Sequence, residues 1–150
     1  MTTLHAFEAT LPDVPTPVAN YVPWVLVGDL LYTSGMLPMK DGQLLYTGQL
    51  VDDAAVAKGQ EAAKLACMNS LSAAKAALGS LDRVKQVVKL TGYVSSAAAF
   101  TDQPLVINGA SDLLVEVFGD AGRHARAAVG VASLPKNASV EVDLIIQVKQ

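Results

Sequence analysis

The chain has 150 residues and a mass of 15.6 kDa, which suits one domain with its own hydrophobic core and leaves little room for a second. Apolar residues make up 51% of the sequence and charged residues only 17%, so the composition excludes intrinsic disorder and predicts a surface partly buried in an oligomer. The net charge of -3 disfavours nucleic acid as a partner, and no apolar run reaches the ~18 residues of a membrane-spanning helix.

The N-terminal part of the chain predicts a loop followed by a β-hairpin. Three prolines between residues 12 and 17 favour extended or irregular backbone. Residues 22–27 and 30–34 have the composition of strands, and the Gly28-Asp29 pair between them is typical of a two-residue type II′ turn. We therefore expect regular structure to begin at Val22.

The middle of the chain predicts the longest helix and a third strand. A polar loop over 40–50 precedes a helix that Asp52 or Asp53 caps and that Gly79 ends. Small or medium apolar residues recur there at helical spacing: Ala63, Cys67, Leu71, Ala74 and Leu78. Small side chains favour close packing of this helix on a sheet, and the valine-rich stretch 84–94 predicts the next strand.

The last third of the chain predicts a second helix and two strands. The helix begins at Val106 or Asn108 and ends at Phe118. Alternating apolar residues predict strands over 126–132 and 140–148. The order of elements is that of an α+β domain in which two helices cover one face of a mainly antiparallel sheet, with residues 1–150 forming one domain.

One face of the strand from Arg126 has an unusual composition. It carries Arg126, Ala128, Gly130 and Ala132, which are small and uncharged apart from the arginine. A solvated sheet face would carry more polar side chains, and we expect the helices to cover the other face. The sequence therefore predicts that subunits pack on this face, with Arg126 at the edge of the contact.

Arg126 and Glu141 are separated if the last two strands form a hairpin. In that pairing Arg126 lies opposite Ile146 and Glu141 lies opposite Val131, which puts the two side chains roughly 17 Å apart along the ladder. This is too far for one small ligand to contact both residues within a hairpin. If both serve one site, they meet most simply across a subunit boundary, or through strong strand twist.

Other reactive side chains are few. Cys67 is the only cysteine, and with His5 and His124 it makes a poor set of metal ligands, so we expect no disulfide and no metal site. Asp143 shares a strand face with Glu141 and is interpreted as a charge at a water-facing edge, while His124 is close enough to Arg126 to line a pocket rim. No basic region with an apolar core marks a secretory signal, which favours the cytoplasm.

Motifs in both halves of the chain carry a family resemblance. They are Asn20-Tyr21-Val22, Tyr32-Thr33-Ser34-Gly35-Met36-Leu37-Pro38, Arg126-Ala-Ala-Val-Gly-Val-Ala-Ser-Leu-Pro135 and Val140-Glu141-Val142. These stretches resemble the Rid family, also called the YjgF family, whose members are reactive-intermediate imine deaminases often labelled endoribonuclease L-PSP. The resemblance covers about residues 19–148. The stretches 108–119 and 122–126 are further similar to a Rid-like branch of longer bacterial proteins.

The resemblance implies a fold, an assembly and a reaction. The fold is a chorismate-mutase-like α+β domain, and the assembly is a homotrimer with ligand clefts between neighbouring subunits. The reaction is hydrolysis of an enamine or imine acid, such as 2-aminoacrylate, to a 2-keto acid and ammonia. No cofactor is implied, and the partners are a small carboxylate and further copies of the chain.

The resemblance also assigns residues. Arg126 matches the arginine that binds the substrate carboxylate, and Glu141 matches the glutamate that positions water or moves protons. Further matches at substrate-binding positions of the cleft are Tyr21, Ser34, Gly35 and Asn108. Two positions depart from the family pattern, because Met36 replaces a glutamine and Ala128 replaces a frequent cysteine. The departures predict a more apolar pocket.

Two other functions stay open on the sequence. A non-catalytic trimer that binds small carboxylates in the same cleft is compatible with Met36 and Ala128. A ribonuclease or translation inhibitor is suggested by the family label, but the sequence pI near 5.2, the lack of a basic patch and the absence of a histidine pair disfavour it.

Overall fold

A five-stranded sheet with two long helices on one face forms the core of the computed structural model, which describes residues 3–17 and 19–150. The helices are α1 (Thr3–Glu8), α2 (Val56–Leu78) and α3 (Gln103–Phe118). The strands are β1 (Trp24–Val27), β2 (Leu30–Thr33), β3 (Met39–Lys40), β4 (Gln43–Leu44), β5 (Val84–Ser95), β6 (Ala125–Val131) and β7 (Val140–Val148). Within the described ranges, no helix has the length and apolar character needed to cross a membrane.

The sheet is mainly antiparallel, as predicted, but its strand order differs from a simple meander. The order is β1-β2-β7-β5-β6, and only the β5–β6 pair is parallel. The predicted hairpin of the last two strands is therefore wrong, since β5 lies between β6 and β7. The physical reason is that β5, α3 and β6 form a strand–helix–strand unit, and a helical crossover returns the chain parallel to its first strand.

The ends of α2 follow the predicted signals. Asp52 accepts a hydrogen bond from the Ala54 N–H at 3.1 Å and caps a short 3₁₀ turn that leads into the helix. Gly79 ends α2 with a φ of 84°. The predicted start of α3 is wrong, because this helix begins at Gln103. Pro104 is tolerated in its first turn, where a missing N–H costs no helical hydrogen bond.

Two short elements lie where loops were predicted. Residues 3–8 form α1, and the buried carboxylate of Glu8 accepts hydrogen bonds from the Leu81 N–H and the Ser80 hydroxyl. β3 and β4 pair around Asp41 and Gly42, which both have positive φ angles as a type I′ turn requires. The loop predicted before Val22 is confirmed for residues 11–17 and 19–21, and the polar loop predicted over 40–50 is confirmed from Leu45 onward, after the end of β4.

The core lies between the sheet and the two long helices, and glycines allow α3 to pack closely on β5 and on α2. Fully buried side chains from both layers include Leu71, Leu90, Ile107, Leu114, Leu144 and Ile146. A Cβ added to Gly92 on β5 would collide with the side chain of Ile107 on α3. A Cβ added to Gly109 would collide with the α2 backbone at Gln60. Much of the surplus of small residues therefore serves packing within one chain.

Candidate active site

Arg126 lies on the helix-covered face of β6. It pairs with Leu90 of β5, which is fully buried under α3, and paired residues share a sheet face. The prediction that subunits pack on the face of Arg126, Ala128 and Gly130 is therefore wrong, because this face of β6 packs against α3. Ala132, the fourth residue of the predicted face, lies just beyond the end of β6. Alternation separates the two faces of a strand but does not say which one the helices cover.

α3 holds the guanidinium of Arg126 through neutral acceptors. Nη1 donates to Asn108 Oδ1 at 2.8 Å and to Ser111 Oγ at 3.1 Å, and Nη2 donates to the Pro104 carbonyl at 3.1 Å. Among residues 3–17 and 19–150, no carboxylate lies within 4 Å of this guanidinium. Three of the five N–H groups of the guanidinium donate to these acceptors, so two remain for a ligand. Arg126 is therefore a half-buried cation whose charge is not neutralised by a described carboxylate.

Ser111 and Pro104 are site residues that the sequence reasoning missed. Ser111 Oγ lies 2.9 Å from His124 Nε2, and His124 Nδ1 lies 2.6 Å from the Gly122 carbonyl. A carbonyl only accepts, so Nδ1 donates, and in the neutral ring Nε2 accepts from the Ser111 hydroxyl. His124 therefore orients Ser111 toward Arg126. Ser111 follows Asn108 by three residues and so lies on the same face of the helix, and this spacing could have identified it from the sequence.

Glu141 lies on the opposite, open face of the sheet. It pairs with Tyr93 of β5, three residues beyond Leu90. Its carboxylate sits against Gly35, where a Cβ would collide with it. Two backbone hydrogen bonds between Met36 and Val142, of 2.7 and 3.0 Å, fix this contact beyond the end of β2. Glycine at position 35 is therefore a requirement for the observed position of Glu141.

Asp143 and Tyr93 share the open face with Glu141. The Tyr93 hydroxyl donates to Asp143 Oδ2 at 3.1 Å. Burial raises the pKa of Glu141, and the nearby charge of Asp143 raises it further. Burial also raises the pKa of Asp143. The interpretation of Asp143 as a charge at a water-facing edge is wrong, since β7 is the central strand and the side chain is half-buried.

Tyr21, Ser34 and Gly35 line one cavity of about 40 Å³. The Ser34 hydroxyl donates to the Val22 carbonyl at 2.6 Å and so holds the Tyr21 segment against the end of β2. Because Gly35 also contacts Glu141, the structure brings these four predicted residues together. Asn108 instead lies with Arg126.

The two groups of predicted residues are separated within one chain. Arg126 and Glu141 sit two strands apart and three positions apart along β5. With about 3.3 Å per residue and about 4.8 Å per strand, their Cα atoms are about 14 Å apart, and the side chains point to opposite faces. The hairpin that predicted a separation of roughly 17 Å does not form, but the observed strand order also keeps the two residues apart.

No metal centre or reactive thiol adds to these groups in the part of the chain that the structure describes. Within it, no three histidine, cysteine or carboxylate side chains are placed to hold a metal ion. Cys67 is fully buried on α2, and burial raises the pKa of its thiol to about 12. It is a core residue, as its place in the apolar helical pattern predicted.

Residues 2–148 match the model of the family described as "YjgF/chorismate_mutase-like, putative endoribonuclease". The chain belongs to this family. The family resemblance of the sequence motifs is thereby confirmed, as is the chorismate-mutase-like α+β fold.

Relatives in the YjgF family have different descriptions. Protein TCP17 of Trypanosoma cruzi is 50% identical over 145 residues, covering 96% of this chain and 91% of that protein. A 2-iminobutanoate/2-iminopropanoate deaminase of Dermatophagoides farinae is 31% identical, covering 92% and 93% of the two chains. A crystal structure of a "putative endoribonuclease" from Shewanella oneidensis has 37% identity and a TM-score of 0.92, covering 98% and 100%.

Proposed function

We propose that the protein hydrolyses 2-imino acids and their enamine tautomers to 2-keto acids and ammonia. The site would lie in a cleft between subunits of a cytoplasmic homotrimer. The observation that carries the proposal is the half-buried guanidinium of Arg126, which neutral acceptors hold in place and no carboxylate neutralises among the described residues.

Arg126 binds the substrate carboxylate in this proposal. A carboxylate takes two parallel hydrogen bonds from a guanidinium, and two N–H bonds of Arg126 remain after its three contacts with α3. A lysine would offer a point charge without this planar fork. Binding through the carboxylate also fixes the neighbouring imine carbon relative to the subunit.

Glu141 transfers protons in this proposal. Its pKa is raised by burial and by Asp143, so a larger share of the carboxyl carries a proton near neutral pH. The protonated form gives its proton to the imine nitrogen, and the carboxylate then takes a proton from water as the water oxygen attacks the carbon. Glu141 then gives its proton to the amine nitrogen of the adduct and takes the hydroxyl proton as the C–N bond breaks, which forms the keto C=O bond and releases ammonia.

The open face of the sheet supports assembly into an oligomer. Arg126 and Glu141 point to opposite faces, so a neighbouring copy is the simplest way to complete a site. The open face also exposes apolar side chains, including Val27 at 61% and Val129 at 44%. Exposed apolar patches of this kind mark interaction surfaces.

The decisive experiment generates imines in situ with an amino-acid oxidase and times keto-acid release with and without the protein. We expect acceleration, and we expect Arg126→Ala to lose at least 100-fold in kcat/KM while the sedimentation coefficient stays the same. Arg123→Ala is a matched control, because Arg123 is exposed and its Nε lies 3.4 Å from Asp120 Oδ1, away from α3 and Arg126.

Three results would contradict the proposal. One is an intact protein that accelerates no imine, and another is an Arg126→Ala variant as active as Arg123→Ala. The third is binding of 2-ketobutyrate without turnover. This result would favour the alternative of a non-catalytic carboxylate binder, with which the apolar Met36 is compatible.

A further inference from the structure

Packing against α3 and β5 fixes the chain segment just before β6. Gly122 is buried there, and a Cβ at this position would collide with the Leu114 carbonyl of α3. On the other side, the Gln86 side-chain amide of β5 donates to the Arg123 carbonyl. The Gly122 carbonyl is therefore held in one place, 2.6 Å from His124 Nδ1.

This carbonyl selects one tautomer of His124. A carbonyl only accepts, so the proton of the neutral ring lies on Nδ1, and Nε2 has a free lone pair 2.9 Å from Ser111 Oγ. The Ser111 proton therefore points at His124, and a lone pair of Oγ is left to accept from Arg126 Nη1 at 3.1 Å. Without the imidazole, the hydroxyl can turn its proton toward the guanidinium, and the two donors then repel each other.

The contacts of Arg126 with α3 leave one edge of its guanidinium free. Nη1 donates to Asn108 and Ser111, and Nη2 donates once, to the Pro104 carbonyl. The N–H groups that remain are the one on Nε and one on Nη2. Nε and Nη2 share an edge of the planar group, and a carboxylate accepts two parallel hydrogen bonds from such an edge. The direction of this edge depends on the Nη1 contacts with α3.

We propose that His124 is a positioning residue of the carboxylate site, and that it acts through Ser111 to present the Nε–Nη2 edge of Arg126 to the substrate. His124 itself does not touch the substrate. The inference rests on the proposed function, in which the ligand of Arg126 is the substrate carboxylate. Loss of the contact with Ser111 lets the guanidinium turn, so binding weakens while proton transfer at Glu141 is unaffected.

Two amide substitutions at position 124 keep different contacts. The amide of His124→Gln reaches the place of Nε2, so its oxygen accepts from Ser111. The amide of His124→Asn is one carbon nearer the backbone, at the place of Nδ1, so it donates to the Gly122 carbonyl but does not reach Ser111. Glutamine preserves binding if His124 acts through Ser111, whereas asparagine preserves it if His124 only holds the segment before β6.

The test measures the dissociation constant of 2-ketobutyrate by calorimetry, and kcat and KM with the imine of 2-aminobutyrate. We expect His124→Asn and Ser111→Ala each to raise the dissociation constant and KM about three- to tenfold, the usual effect of losing one hydrogen bond, with little change in kcat. His124→Gln should bind like wild type. The double variant of His124→Asn and Ser111→Ala should bind no more weakly than Ser111→Ala, because both changes remove one contact. His5→Asn is the control, since His5 lies on α1 with Nε2 2.8 Å from Asp82 Oδ2.

Nitrogen-15 spectra of the arginine side chains test the positioning without a ligand. The chain has three arginines, Arg83, Arg123 and Arg126, and an Arg126→Lys protein identifies the signals of Arg126. Hydrogen bonds from both Nη atoms slow rotation about the Nε–Cζ bond, so a held guanidinium gives separate Nη signals. We expect separate signals in wild type and His124→Gln, and merged signals in His124→Asn.

The outcomes separate this inference from the proposed function. Equal binding by His124→Asn and His124→Gln, rescue by asparagine alone, or additive effects of His124→Asn and Ser111→Ala overturn the role of His124 and leave the deaminase proposal standing. If His124→Asn does not fold, wild-type binding by Ser111→Ala overturns it equally. The expected arginine signals in a protein that binds no 2-keto acid support the positioning and refute the proposed function. Merged signals in wild type together with absence of binding refute both.

Discussion

A single isosteric change at Asn108 tests whether Arg126 is the carboxylate-binding group. Asn108→Asp keeps an oxygen 2.8 Å from Nη1 but gives it a negative charge. The new carboxylate would neutralise the guanidinium that a substrate carboxylate must reach. We expect binding of 2-keto and 2-imino acids to weaken while the fold is retained, because the new ion pair replaces an existing hydrogen bond.

The size of the effect follows from Coulomb's law. The charge centres would lie about 4 Å apart, which corresponds to about 4 kcal/mol at an effective dielectric constant of 20 and about 1 kcal/mol in water. Arg126 is half-buried, so solvent screening discounts the larger value, and about 1.4–2.7 kcal/mol is a reasonable range. The dissociation constant of 2-ketobutyrate should therefore rise about 10- to 100-fold.

Calorimetric titration with 2-ketobutyrate measures this constant directly, and a salt series checks the electrostatic origin. Asn137→Asp is the matched control, because it adds the same charge at an exposed turn residue. Its positive φ of 61° is tolerated by aspartate as well as by asparagine. Equal affinity of the Asn108→Asp protein and wild type would refute the assignment of Arg126.

Three further changes test other parts of the structure. Gly35→Ala places a methyl group where the Glu141 carboxylate lies, so we expect kcat to fall at least tenfold while binding of 2-ketobutyrate changes less; unchanged kcat would contradict the placement of Glu141. Asp143→Asn removes the charge that raises the pKa of Glu141, so the limb of the pH–rate profile that reports loss of the Glu141 proton should move to lower pH, and an unmoved limb would count against Glu141 as the acid. Gly92→Ala pushes a methyl group into Ile107, and urea denaturation should show a loss of about 1–3 kcal/mol; wild-type stability would mean that the two layers have room to adjust.

The sequence predicted the helices and strands better than it predicted which strands pair with each other. The alternation of β7 and the capping residues of α2 are local signals, and both elements form as expected. Strand pairing depends on distant contacts, so the short connection before β7 suggested a hairpin that does not exist. The parallel pairing of β6 follows instead from the crossover through α3.

The candidate site was predictable in its residue types but not in its geometry. The motif around Arg126 indicated that the arginine is a site residue. The direction of its side chain, however, depends on which face of the sheet α3 covers. Ser111 lies within the 108–119 stretch, three residues after Asn108, but its contact with Arg126 depends on β6 placing the arginine beneath α3. Contact between Gly35 and Glu141 likewise arises from pairing of chain segments about 100 residues apart, as in the Met36–Val142 bridge.

The position of β6 has a consequence for an isolated subunit. β6 forms one edge of the five-stranded sheet, and its seven residues include no proline and one charged side chain. An uncovered edge of this kind is a template on which strands of other molecules can add. Edge strands normally prevent such growth with charged side chains, prolines or β-bulges. β6 has only the single charge of Arg126 and no proline. Variants that weaken the proposed homotrimer would therefore tend to precipitate or form disordered aggregates, and screens for them should follow the soluble fraction as well as activity.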